Sequence, residues 1–275
     1  KLAQTEEVEV TVLGEFIHTK KLEVFYLGEK IIDLPMNFLH NGLPKQRRKA
    51  IYSKPKYLEA EFPQAADLGQ ELHELLSMPN IASKETTIRQ YDHEVQGTSI
   101  LKPLVGEEND GPSDAAIIRP DLDKWTGVAI SNGINPWFGD IDPYLMAGSC
   151  IDEAIRNIVA VGASVEKTAL LDNFCWGNPD KLIKLGELVK TVKGCHDFAV
   201  DFEVGYISGK DSFYNEYTKD KLHISIPGTL LISAVSIMND ARKRISMDLK
   251  QEENLLYIVG ETFNELGASH YFANN

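Results

Sequence analysis

Apolar positions recur along the chain with two different periods. Val8, Val10 and Val12 alternate with Glu9 and Thr11, and Leu22, Val24 and Tyr26 repeat the alternation, so both stretches are expected as half-buried strands. Gly28-Glu29-Lys30 makes a turn before Ile31-Ile32 and closes a small meander, which would be marginal alone. Ala65 to Ser77 carries Leu68, Leu72, Leu75 and Leu76 at helical spacing, and Pro79 stops it. Ser83 to Gln90 reads as a short helix with Ser83 as N-cap.

The central part of the chain has the strongest pattern. Ala115 to Arg119 and Val128 to Ser131 are short strand candidates. Asp142-Pro143 is a helix start, an acidic N-cap followed by proline in the first turn. Ala147, Cys150, Ile151, Ala154, Ile155 and Ile158 then hold one helical face, while Asp152, Glu153, Arg156 and Asn157 take the other. Val165 to Leu171 should be a strand. Pro179-Asp180 starts a second helix with Leu182, Leu185, Val189 and Val192 on one face. Tyr206-Ile207 and Thr229 to Ile237 complete a β-β-α-β-α-β-β order. That order predicts an α+β fold, with helices on one face of a mixed or largely antiparallel sheet.

Both ends look cut. The opening meander lacks further elements. At the other end the apolar run Leu255 to Val259 and the Gly260 to Gly267 segment stop at Asn275, where a helix would begin. We expect the chain to be an interior piece of a longer protein; the alternative is a complete protein with frayed termini.

Composition narrows the function classes. The 275 residues carry 28 basic and 41 acidic side chains, a net charge of −13, which argues against non-specific nucleic-acid binding. A phosphate ligand is compatible with that charge, because Mg²⁺ bridges carboxylates to phosphates. No apolar run of membrane-spanning length and no secretory leader pattern is visible. Three cysteines without CxxC spacing fit a reducing, cytoplasmic setting rather than a disulfide framework or a zinc site. Residues 35–61 read as a linker; its basic stretch, from Lys45 and Arg47 to Lys54 and Lys56, is expected as a solvated or interdomain face.

Three segments concentrate Gly, Asp and Asn at strand ends: Ser131 to Pro136, running on to Asp140 and Asp142; Asp172 to Pro179; and Ser208 to Asn215. Such loops hold phosphates through free N–H groups, and Asp adds hard oxygen ligands for Mg²⁺. Lys210 could neutralise a phosphate and Ser212 could donate a hydrogen bond to one, but ordinary turn chemistry produces similar loops. None of these segments is a Walker A loop or GxGxxG. Asp114 is a ligand or a turn residue. His93, between Asp92 and Glu94, is a tuned base or a structural histidine.

Taken together these segments resemble phosphoribosylformylglycinamidine synthase. The resemblance is carried by Arg89 to Gly97, Gly111 to Arg119, Asp142-Pro143-Tyr144, Glu153 to Asn157, Asp172 to Pro179, Ser208 to Glu216 and Thr229 to Ser233, in order over essentially the whole chain. It implies a tandem duplication of units similar to aminoimidazole ribonucleotide synthetase. Residues 1–34 would then be the tail of a preceding C-terminal-type domain, and 62–248 a second N-terminal-type domain. Residues 249–275 would start a second C-terminal-type domain.

The implied reaction is ATP-driven amidation in purine biosynthesis. Phosphate transfer from ATP activates the amide oxygen of formylglycinamide ribonucleotide, and ammonia from a glutaminase displaces that phosphate. The resemblance places ATP contacts at Asp172 and Gly209 and a substrate contact at Ser212. Where a family form has an Mg²⁺-ligating Asn, this chain has Lys210, which leaves the metal ligands unknown and makes Lys210 a phosphate-neutralising candidate. No catalytic residue is carried over, because the family's catalytic histidine lies in a segment absent here; His93 corresponds to its pseudo-repeat position. The resemblance also implies a glutaminase subunit or domain and a small bridging subunit as partners. It implies face-to-face pairing of N-terminal-type domains, which leaves homodimerisation open to an isolated one. Two other readings stay open: a non-catalytic structural half of that enzyme, and another member of the superfamily.

Overall fold

A computed structural model describes residues 2–57, 63, 65–90 and 94–274. The chain divides into two compact units, one up to Arg48 and one from Lys49 onward.

In the first unit a single helical turn, α1 (Leu2–Thr5), precedes a hairpin of β1 (Lys21–Tyr26) and β2 (Glu29–Pro35), followed by α2 (Met36–Asn41). The hairpin is the expected meander, and Lys21 pairs with Asp33 across it at 3.0 Å. The strand expected at Val8 to Val12 is absent: these residues lie outside any regular element, and the three valines are 61–88% exposed. Alternation alone does not make a strand when no neighbouring strand takes up its backbone groups.

The second unit begins with α3 (Leu68–Ser77), capped by Asp67, whose side chain accepts from the N–H groups of Gly69 and Gln70. It continues through α4 (Glu85–Ile88), β3 (Ser99–Leu101), β4 (Leu104–Val105), β5 (Gly111–Pro112), β6 (Ala116–Ile118) and β7 (Gly127–Ile134). Next come α5 (Pro136–Ile141), α6 (Pro143–Ala160), β8 (Thr168–Cys175), α7 (Leu182–Asp201), β9 (Gly205–Ser212), β10 (Glu216–Lys219), β11 (Leu222–Ser225), β12 (Thr229–Met238) and α8 (His270–Asn274). The helix is shorter than expected and its N-cap position falls on Lys84 rather than Ser83, although Ser83 Oγ accepts from Glu85 N at 3.2 Å. The segment around His93 lies outside the described residues.

Six strands form one sheet in the order β3-β6-β7-β12-β8-β9. Every neighbouring pair is antiparallel or, for β8 and β9, parallel. The parallel pair is joined through α7, as a parallel connection requires. This is the expected α+β architecture with a mixed sheet.

Helix α6 lies on the sheet. Met146, Ala147, Cys150, Ile151, Ala154, Ile155 and Ile158 are buried, as the helical period requires, against Ala129, Leu230, Ile232 and Ala234. Contact is close at Gly133 of β7, where a Cβ would stand 2.9 Å from Ala154 N and 3.0 Å from Cys150 C, both backbone atoms. Helix α7 turns an unexpected face inward. Its buried residues are Gly186, Thr191, Gly194, Cys195 and Ala199, while Leu182, Val189 and Val192 are about half exposed. Gly194 meets the Tyr144 backbone, so close approach of the two helices selects small residues over large apolar ones.

Candidate functional site

Strand direction gathers the glycine- and acid-rich segments. Because β12 is antiparallel to both β7 and β8, and β9 is parallel to β8, strands β7, β8 and β9 all end at one edge of the sheet. The start of β6 lies at that edge too. Residues 111–115, 134–136, 175–180 and 212–215 therefore share one rim. Parts of the expected loops are strand: β7 runs to Ile134 and β9 to Ser212.

Register then divides the four candidate residues between two faces. In β12, Leu230, Ile232 and Ala234 point to the helix-covered side, and Phe174, Asp172 and Leu170 pair with them. Gly209 pairs with Asp172, and a Cβ on Gly209 would fall on the Asp172 carboxylate. The Asp172 side chain thus leans into space that any larger residue at 209 would fill. Burial and the charge of Asp211 push its carboxyl above the usual carboxylate range. Lys210 pairs with Asn173 and Ser212 with Cys175, on the opposite, uncovered face. There Lys210 Nζ contacts Ser212 Oγ. Asp172 and Gly209 are brought together, and so are Lys210 and Ser212, but the two pairs stand back to back across the sheet.

A one-residue bulge at Ile207 keeps this register. Tyr206 faces the helices, donates to Cys195 O at 3.4 Å, and has its phenol pushed up by burial. Cys150 and Cys195 are buried, and burial pushes their thiols up to about 12 and about 11.

The Ser131 segment is occupied by structural bonds. Ser131 Oγ donates to Ala154 O at 2.6 Å, and Asn132 Oδ1 accepts from Ser233 at 2.8 Å. Glu153 of α6 reaches back to accept from Ile134 N at 2.8 Å and Asn135 Nδ2 at 3.0 Å. The helical period placed Glu153 on the outer face and gave no sign of this role. Asp114 lines an open cleft of about 690 Å³ with Lys84 and Asn132. Lys84 Nζ is already held by the carbonyls of Pro79 and Ala82. Among the described residues no three His, Cys, Asp or Glu side chains converge as a metal cage. No helix among them is long and apolar enough to cross a membrane.

Sequence reasoning also missed Glu216. Its carboxylate accepts from Asn178 N at 2.9 Å, from Ser225 Oγ at 3.2 Å, and from Lys181 Nζ at 3.0 Å through both oxygens. These bonds hold its pKa down at about 2.

The family model described as AIR synthase related protein, N-terminal domain, matches residues 112–230. Over 266 residues, 96% of this chain, the sequence is 35% identical to phosphoribosylformylglycinamidine synthase subunit PurL of Picrophilus torridus, and it covers 34% of that protein. The PurL subunit of Ignicoccus hospitalis is 34% identical over 278 residues, 98% of this chain and 36% of that one. PurLQS from Thermotoga maritima matches the structure with TM-score 0.58 at 19% identity, covering 84% of this chain and 34% of that one. T. maritima PurL complexed with ATP matches with TM-score 0.55 at 18% identity, covering 83% and 33%. The same protein complexed with FGAR matches at 0.51 and 20%, covering 83% and 32%. The structural matches establish the shared fold, and the chain spans about a third of the length of the curated relatives. Residues 112–230 match the AIR synthase related N-terminal domain, within a chain similar over nearly its whole length to about one third of phosphoribosylformylglycinamidine synthase PurL subunits.

Proposed function

We propose that this chain is part of an ATP-dependent ligase converting formylglycinamide ribonucleotide to formylglycinamidine ribonucleotide, and that its β8–β9 edge forms one wall of the nucleotide site. The observation that carries the reading is the in-register pairing of Asp172 with Gly209, inside a sequence similar to PurL along 96% of its length. In this reading Gly209 leaves room for the Asp172 carboxylate at the ATP, and Ser212 contacts the ribonucleotide from the other face. Lys210 stands beside Ser212 and offers its charge to a phosphate on that face.

The face assignment also bears on Mg²⁺. Asp211 shares the Asp172 face, and its charge acts on the Asp172 carboxyl. These two carboxylates would hold the ion, since Mg²⁺ takes one or two carboxylates beside phosphate oxygens and water. Bound there, it would neutralise phosphate charge. Lys210 lies on the opposite face and has no part in that set.

In this reading the rest of the ATP and ribonucleotide site is supplied from outside this chain, so the isolated segment is expected to be inactive. The other face of the sheet exposes Ile130, Ile134 and Ile237 and serves to pair with a second domain of this type, in the same protein or as a homodimer. A glutaminase and a small bridging subunit complete a cytoplasmic assembly. In this reading residues 1–34 end a preceding C-terminal-type domain, 62–248 form the N-terminal-type domain and 249–275 begin a second C-terminal-type domain.

The test is ADP release that depends on formylglycinamide ribonucleotide, measured in the full-length protein and in its Asp172→Ala form. Loss of turnover and weaker ATP binding are expected. Parent-like values would favour the second reading, a structural half, to which the structurally engaged Glu153 already lends weight.

A further inference from the structure

Glu216 stands at the start of β10, opposite Ser225 of β11, and its side chain is only 13% exposed. The three donors on it, which make four bonds, come from three segments: the loop after β8, the start of α7, and β11. Lys181 Nζ also lies 3.0 Å from His223 Nε2, and His223 Nδ1 lies 2.9 Å from Thr218 Oγ1. An ammonium only donates, so Nε2 accepts there and Nδ1 carries the hydrogen toward Thr218. The chain just before Glu216 is laced to the same loop. Trp176 N donates to Ser212 O at 2.8 Å, Asn215 N to Trp176 O at 3.1 Å, and Tyr214 N to Gly177 O at 3.2 Å. The β10–β11 ribbon has only four residue pairs and would be marginal without such anchoring.

We infer that Glu216 is a positioning residue: by clamping residues 178–181 to the β10–β11 hairpin, it fixes the ends of β8 and β9 that carry Asp172, Gly209 and Ser212. This rests on the proposed function, because the ligand it positions is ATP. In this role Glu216 acts through the Trp176–Ser212 bond. Charge-assisted bonds of this kind are about twice as strong as neutral ones. Removing their shared acceptor also leaves Asn178 N–H without its partner and Lys181 with His223 but no carboxylate.

The experiment uses the full-length protein and measures the Kd of Mg-ATP by titration calorimetry for the parent, Glu216→Ala, Glu216→Gln and Asp172→Ala. Glu216→Ala is expected to weaken ATP at least tenfold. Glu216→Gln, which keeps an acceptor for Asn178 and Ser225 but loses the charge facing Lys181, should fall between it and the parent. Lys181→Ala combined with Glu216→Ala should weaken ATP no further than Glu216→Ala alone. Amides of 176–178 and 212–215 should exchange faster in Glu216→Ala without nucleotide. A lower Tm with parent-like Kd in both Glu216 variants would make the residue merely structural and overturn the positioning role. If Asp172→Ala also binds ATP like the parent, the site itself falls, and Glu216's role toward ATP with it.

Discussion

Replacing Gly209 with alanine asks whether the Asp172 carboxylate depends on the empty space across from it. A Cβ at 209 would stand 2.8 Å from Asp172 Cγ and 3.3 Å from Oδ2, with Oδ1 closer still. Carbon–carbon contacts settle at about 3.5–4.0 Å, so the carboxylate must move by roughly 1 Å. It is the end of a short side chain on an edge pair of strands, so it swings aside rather than forcing the backbone apart. An off-rotamer torsion costs about 0.5–1.5 kcal/mol. At roughly 2–4 °C per kcal/mol for a domain of this size, Tm should fall by about 1–6 °C. The functional effect should be larger. Losing a hydrogen bond to a charged group removes about 1.5–3 kcal/mol, or roughly ten- to a hundredfold in ATP affinity. Calorimetric titration of Mg-ATP into the full-length Gly209→Ala protein reads this directly, with thermal unfolding as the control. Asp172→Ala should match it, and the double variant should be no weaker than either single one, because both remove the same carboxylate. Parent-like affinity in Gly209→Ala beside a loss in Asp172→Ala would refute the displacement.

Gly133→Ala should behave in the opposite way, because its Cβ meets the α6 backbone rather than a movable side chain. Overpacking of about 1–3 kcal/mol or more should lower Tm by several degrees, and a change under 1 °C would mean that α6 does not rest there. Cys150 and Cys195, buried with thiols raised to about 12 and about 11, should react with a thiol reagent at pH 8 only at the rate of unfolding. Rapid labelling of either by mass spectrometry would contradict their placement. Glu216 is lowered from its ordinary 4.5 to about 2, so its contribution to stability is full above about 4.5 and lost as pH falls toward 2. The Tm difference between the parent and Glu216→Gln should therefore be largest near neutral pH and close to nothing at pH 2; a constant difference would count against the Glu216 network.

Much of the fold was legible where a single period dominates. Helix α6 announced itself through Ala147 to Ile158, and β12 through the largely apolar run Thr229 to Ile237, and both bury one full face. Helix α7 was legible as a helix but not in orientation. Its large apolar residues point outward, since contact with α6 is governed by Gly186, Gly194 and Ala199, which carry almost no hydrophobic signal. Val8 to Val12 alternates without a partner, and pairing is a non-local property. At the site, Asp172 to Pro179 and Ser208 to Asn215 stood out by composition. Their split across two faces depends on strand register, and a single bulge at Ile207 sets it. Glu216 was invisible because nothing local marks a carboxylate that collects donors from three distant segments.

Among the described residues strand β9 joins the sheet through β8 alone, as its outermost member, after a helical crossover between Cys175 and Gly205. A strand held on one side is the cheapest part of a sheet to open, so amides of 205–212 should exchange by local fraying rather than by global unfolding. Whatever binds at the Asp172–Gly209 pair must first find that edge closed, and its apparent affinity is reduced by the fraction of time the edge is open. A ligand bound there would slow exchange along β9 well before it changed the melting of the α6 core, which makes this strand the natural reporter of occupancy.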